Sequence, residues 1–140
     1  MKDIVVGFDR SNTARKAAER AAELAAAYRT NLHIVMCVER GPVTEFSVGS
    51  DHFRIDRFSE ADQFLADVAR KLPHDRITHA VGVGDPAKML CEEAGRLGAQ
   101  AIVVGNRRVQ GMSRVLGSVA GDVTKMAPCD VMVANTCAEA

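Results

Sequence analysis

The stretch Ile4-Val5-Val6-Gly7-Phe8-Asp9-Arg10-Ser11 decides how the rest of the chain is read. Its apolar part, Ile4–Phe8, is rich in β-branched residues, the composition of a strand buried on both faces. Gly7 and Asp9 mark the exit, and Ser11 stands where a helix N-cap is expected. The residues that follow, Asn12–Tyr28, are rich in Ala, Arg, Glu and Lys, all good helix formers. Ala14, Ala17, Ala18, Ala21, Leu24, Ala25 and Tyr28 make a stripe of mostly small side chains, so this helix can lie close on a sheet.

The same alternation continues outward. Asn31–Val38 reads as a second strand. Glu39–Asp56, with two Gly and one Pro, shows no period and is expected to be a loop. Its length exceeds the usual connection between strand and helix, which marks it as functional or mobile. Ser59–Lys71 is helical, with Ala61, Phe64, Leu65, Val68 and Leu72 on one face and Pro73 as its stop. Arg76–Val83 is a strand expected near a sheet edge. Asp85 caps the next helix, Pro86 takes its first position and Gly98 ends it after Leu97. Ala101–Val104 is a buried strand ending in Gly105, Ser118–Met126 a short helix closed by Pro128, and Asp130–Ala134 a last strand. Strands alternating with helices predict an α/β fold: one parallel sheet with helices on both faces, joined by right-handed crossovers. The 140 residues are expected to form a single domain, 1–140, without internal repeat.

Bulk composition narrows the function classes. Eighteen basic residues balance eighteen acidic ones, so no global field draws the chain to nucleic acid or to a membrane. Aromatics are 4% and Trp is absent, which argues against a platform for stacking single-stranded bases. Cys37, Cys91, Cys129 and Cys137 include no Cys-x-x-Cys pair, and His33, His52, His74 and His79 are equally dispersed. The expectation is reduced thiols and no metal site. MKDIVVGFD lacks the apolar core of a signal peptide, so cytoplasmic residence is expected.

Two glycine clusters invite a phosphate reading. Gly82-Val83-Gly84-Asp85-Pro86-Ala87 superficially fits a dinucleotide fingerprint, but it puts an acid where pyrophosphate would dock. It is read as a strand–turn–helix junction. The second cluster is Gly105-Asn106-Arg107-Arg108-Val109-Gln110-Gly111, followed by Leu116-Gly117-Ser118-Val119. Gly105 ends a strand where a side chain would keep a ligand from the backbone. Gly117 and Ser118 open a helix whose free N–H groups favour an anion, and the Ser118 hydroxyl can cap the helix or bond a phosphate. Arg107, Arg108 and Arg114 add permanent positive charge. The alternative is an ordinary glycine-rich loop with solvated arginines.

The chain resembles the universal stress protein family over nearly its whole length. The resemblance is carried in order by Ile4–Ser11, Gly84-Asp85-Pro86-Ala87, Leu97–Gly105, Leu116-Gly117-Ser118-Val119 and Ala127-Pro128-Cys129-Asp130-Val131. It implies an open five-stranded parallel sheet in the order 3-2-1-4-5, Rossmann-like, with a crevice at the carboxyl ends of the first and fourth strands. It also implies an adenine-nucleotide site. Asp9 and the main chain at Val38 would meet the base or ribose, with Gly7 and Phe8 leading into Asp9. Val104, Gly105, Arg107, Arg108, Gly117, Ser118 and Val119 would surround the phosphates. ATP is the expected ligand, with ADP, AMP and cyclic AMP as alternatives. Arg108 stands where the family loop has its second glycine, and the spacer to Gly117 is slightly short. Arg108 either obstructs the phosphates or folds over them.

Mg²⁺ is a candidate companion, held by Asp9 and Asp122, although Asp122 also suits a first-turn helix charge. A homodimer is implied through the last strand, Asp130 to Asn135, whose Val131-Met132-Val133-Ala134 suits edge pairing. No catalytic constellation is evident, since the hydroxyls lack obvious His and acid partners. Weak ATP hydrolysis is the most the resemblance implies. The leading expectation is a dimeric, ATP-binding stress-response module; the alternatives are a nucleotide-independent dimeric scaffold and a cyclic AMP binder.

Overall fold

The computed structural model describes residues 2–38, 44–48, 51–55, 57–106 and 117–136. Its elements run β1 (Ile4–Gly7), α1 (Asn12–Tyr28), β2 (Leu32–Val38), β3 (Thr44–Val48), β4 (Asp51–Ile55), α2 (Arg57–Lys71), β5 (Ile77–Val83), α3 (Pro86–Leu97), β6 (Ala101–Gly105), α4 (Ser118–Met126) and β7 (Asp130–Ala134). Five strands pair in parallel in the order β5-β2-β1-β6-β7. Numbered within this sheet alone, that order is 3-2-1-4-5, as the resemblance implies. Ile4 of β1 stands opposite Leu32 of β2 on one side and Ala101 of β6 on the other.

Side-chain alternation divides the core between two faces. Ile4, Val6, Leu32, Ile34, Met36 and Val103 pack toward α1 and α2. Val5, Val35, Ile102 and Val104 point the other way, toward α3 and α4. Strands covered on both sides need apolar residues at consecutive positions, which is why β1 and β6 read as unbroken runs and β2 is interrupted only by His33. α1 meets the sheet with Ala14, Ala17, Ala18, Ala21, Ala22 and Ala25, all buried, so its backbone lies close to the strands.

The caps follow the sequence. Ser11 Oγ accepts from the Ala14 N–H at 3.0 Å, and Asp85 Oδ2 accepts from the Lys88 N–H at 3.0 Å. Gly98 closes α3 in the left-handed region at φ 63°. β5 lies at one sheet edge, as expected, and β7 at the other.

One expectation is corrected. Residues 39–56 are not simply a loop, because β3 and β4 pair antiparallel within them, with Phe46 opposite Phe53. Read as one span the segment has no period. Split at Gly49-Ser50, it is two five-residue runs flanking a dipeptide that favours hairpins. The rest of 39–56 lies outside the described residues, as do Arg107, Arg108, Gly111, Arg114, Leu116 and Cys137. Among the described residues no helix is long and apolar enough to cross a membrane.

Candidate functional site

β1 feeds α1 on one face of the sheet, whereas β6 is followed by α4 on the other. Chain leaving adjacent strands in opposite directions opens a gap at their carboxyl ends. A cavity of about 280 Å³ fills that gap. Gly7, Phe8 and Asp9 reach it from the end of β1, Val104 and Gly105 from the end of β6, and Gly117, Ser118 and Val119 from the start of α4. Segments about a hundred residues apart in the chain thus share one wall-to-wall space. Of the other residues singled out from the sequence, Val38 packs its side chain against the core on the α1–α2 face. Arg107 and Arg108 lie outside the described residues.

Asp9 and Ser11 divide their work. Ser11 takes the N-cap of α1, and Asp9 Oδ1 accepts from the Ser11 hydroxyl at 2.5 Å and from the Ser11 N–H at 3.1 Å. Asp9 is therefore not the cap; it fixes the residue that is. At α4 the N-cap is Gly117, which has no side chain to satisfy the first N–H groups. Ser118 is the first helical residue, so its hydroxyl does not take the cap position. The first turn of α4 holds no acidic residue, and Asp122 follows it, outside the cavity wall. Gly117 thus leaves the first N–H groups of α4 without a cap from its own side chain, and the positive dipole end carries no acid within its first turn.

Gly105 is a glycine for a reason the sequence did not show. A Cβ there would meet Thr13 Cγ2 at 2.8 Å, Thr136 Cγ2 at 3.3 Å and the Thr13 carbonyl oxygen at 3.4 Å. The approach of α1 by itself leaves no room for a side chain. Just beyond, Asn106 Oδ1 accepts from the Thr136 N–H at 2.7 Å, which ties the end of β6 to the end of β7.

Sequence reasoning missed the apolar wall. Val35, Cys37, Pro86 and Leu90 also line the cavity, together with Ala14 and Ala17 of α1. Alternation along β2 would have found Val35 and Cys37 once β2 was known to neighbour β1. The Cys37 thiol donates to Met89 Sδ at 3.4 Å, and burial, with the Asp85 carboxylate second, pushes it up from the usual thiol range. Both effects favour the neutral thiol on this wall. Gly82–Ala87 is the expected strand–turn–helix junction, with Gly84 at φ 118°.

The histidines are less isolated than their spacing suggests. His33, only 4% exposed, lies between Thr78 Oγ1 at 2.7 Å from Nδ1 and Glu93 Oε1 at 2.9 Å from Nε2. Arg96 donates to both Glu93 oxygens, and this bond, aided by His33 and opposed by burial, pulls the Glu93 carboxyl down to about 2. An ionised Glu93 only accepts, so Nε2 donates to it. The expectation that no hydroxyl has His and acid partners is thereby corrected. The group sits at the amino ends of β2 and β5, away from the cavity, and joins both strands to α3.

A model of the universal stress protein family matches residues 1–135. The chain belongs to the universal stress protein family. Universal stress protein A homolog 1 of Coxiella burnetii is 32% identical over 137 residues, covering 94% of each chain. A universal stress protein solved in complex with cAMP superposes with a TM-score of 0.73 at 26% identity, covering 96% of this chain and 97% of the other. The universal stress protein of Archaeoglobus fulgidus in complex with dAMP shares the fold, with a TM-score of 0.68 at 23% identity over 95% of this chain and 97% of that one. Some members of this universal stress protein's structural family therefore carry nucleotides.

Proposed function

We propose that this universal stress protein binds an adenine nucleotide, with ATP as the ligand, and acts as a dimeric stress-response module in the cytoplasm, where ATP is kept. One observation carries the reading: Asp9 and the start of α4, with a glycine at its N-cap, face the same cavity. Its volume, about 280 Å³, is near the lower end for ligand cavities, roughly 300 Å³. That suits the nucleoside, with the phosphates continuing past its mouth along α4.

In this reading the N–H groups at Gly117, Ser118 and Val119 receive phosphate oxygens, and Arg107 and Arg108 supply charge to them. Asp9 accepts from the ribose or base, and the Val38 main chain meets the base edge. Gly7, Phe8, Val104 and Gly105 form the floor. Asp9 is the one carboxylate among the described residues of the cavity wall, and Asp122 stands apart. Two protein carboxylates for Mg²⁺ are therefore not brought together, and the reading assigns the ion no protein-built site.

Titration of the purified chain with ATP, ADP, AMP and cyclic AMP tests the reading. ATP is expected to saturate it below millimolar concentration. Absence of binding by all four at millimolar concentration overturns it in favour of a nucleotide-independent scaffold. Tighter binding of cyclic AMP than of ATP selects the second reading, which the cAMP complex of the relative at 26% identity favours.

The proposed dimer forms through the edge strand β7 with Asn135, where Val133 is 40% exposed beside the half-buried Val131 and Met132. Sedimentation equilibrium is expected to give twice the chain mass of 15.0 kDa. A monomer at tens of micromolar rules out this assembly.

A further inference from the structure

Two non-glycine residues among those described have positive φ: Arg29 at 57° and Arg10 at 71°. Arg29 is the C-cap of α1, where a left-handed residue is ordinary. Arg10 has no such reason. It sits between Asp9, on the cavity wall, and Ser11, the cap that Asp9 holds. A side chain in this region is strained, and the strain persists only where the surroundings over-determine it.

The surroundings here belong to α2. The Arg10 guanidinium lies over the Phe64 ring with Cζ 4.2 Å from its centroid, and Nη2 donates to Glu60 Oε1 at 2.5 Å. Phe64 in turn packs against Phe8, with ring centroids 5.8 Å apart at 48°. The residues on both sides of Asp9 are thus fixed to one helix that contributes nothing to the cavity wall. The ion pair is half exposed, 41% and 53%, and would hold little alone. Stacking over Phe64 gives the guanidinium a second, directional partner.

We infer that Arg10, Glu60 and Phe64 form a clamp that positions Asp9 for nucleotide, so that affinity at the cavity responds to the placement of α2. Arg10 is a positioning residue here, and the inference rests on the nucleotide reading above. Glycine at position 10 would adopt the same backbone without strain. The arginine adds reach to α2.

The test compares Arg10→Gly, Glu60→Gln, Phe64→Leu and Arg10→Lys with the unmodified chain. ATP, AMP and cyclic AMP affinities, Tm and the amide NMR shifts of Asp9 and Ser11 are measured for each. Arg10→Gly is expected to weaken the nucleotide about fivefold, to move the Asp9 and Ser11 amides, and to leave Tm unchanged or higher because the strain is gone. Glu60→Gln and Phe64→Leu, neither on the cavity wall, should weaken it in the same direction. Arg10→Lys, which keeps a cation over the ring, should restore most of the affinity. A merely structural role would move Tm and leave the affinities of folded protein alone. If the unmodified chain binds and the first three variants bind equally well, the clamp is wrong and the nucleotide reading stands. If the unmodified chain binds none of these three nucleotides and no ADP, both fall.

Discussion

Titrated with ATP, a Gly117→Val variant is expected to show no binding at concentrations that saturate the unmodified chain, while its Tm stays within about 3 °C. The backbone at Gly117, φ −62° and ψ 164°, is extended geometry that any residue adopts, so valine there needs no conformational change. What valine brings is a branched side chain at the point where α4 begins, beside the cavity. The free N–H groups of a helix start act on an anion only at contact distance, and their effect fades within the first turn. Losing two or three such charge-assisted bonds weakens binding on the order of 100-fold or more. Ser118→Ala is the milder companion, because the main-chain donors remain. If Gly117→Val binds ATP as tightly as the unmodified chain, the phosphates do not lie at the start of α4.

Gly105→Ala is expected to destabilise the fold by about 1–3 kcal/mol, read from urea unfolding. The added methyl arrives 2.8 Å from Thr13 Cγ2, closer than carbon atoms approach, and 3.4 Å from the Thr13 carbonyl. Thr13 is β-branched, near the start of α1, and moves its methyl only by turning χ1 to another staggered well, while its carbonyl stays in place. The second substitution Thr13→Ser removes that methyl and should restore a large part of the loss. Because the Thr13 carbonyl stays, recovery should be incomplete. Equal stability of Gly105→Ala and the unmodified chain would mean that α1 shifts freely, and the packing explanation of this glycine would be wrong.

These two glycines show where sequence reading stops. Both stand at positions that the phosphate argument singled out, and nothing local distinguishes them. Gly117 remains compatible with that argument, since its conformation requires no glycine. Gly105 has a further constraint, ninety-two positions back along the chain at Thr13. The same limit explains the cavity wall. Val38 is singled out by the resemblance for its main chain alone; its side chain turns to the α1–α2 core, and Cys37, one position earlier, lines the cavity. A shift of one residue along a strand exchanges its faces, and which face matters depends on which helix covers it. The β3–β4 hairpin was missed for a local reason: a five-residue alternation is too short to stand out unless the dipeptide between the runs is weighed.

By itself, the sequence determined the class of fold, the bounds of α1, α3, α4 and β7, and the caps at Ser11, Asp85 and Gly98. Each of these depends on side chains within a few residues of one another: apolar period, helix propensity, a hydroxyl or carboxylate reaching a nearby N–H. Tertiary structure alone decided that Cys37, Pro86 and Leu90 line the cavity and that His33 joins Thr78 to Glu93. It also decided that Arg10 reaches α2 and that Gly105 yields to Thr13. These contacts form between residues brought together only when strands pair and helices cover them, and no local pattern records that distance.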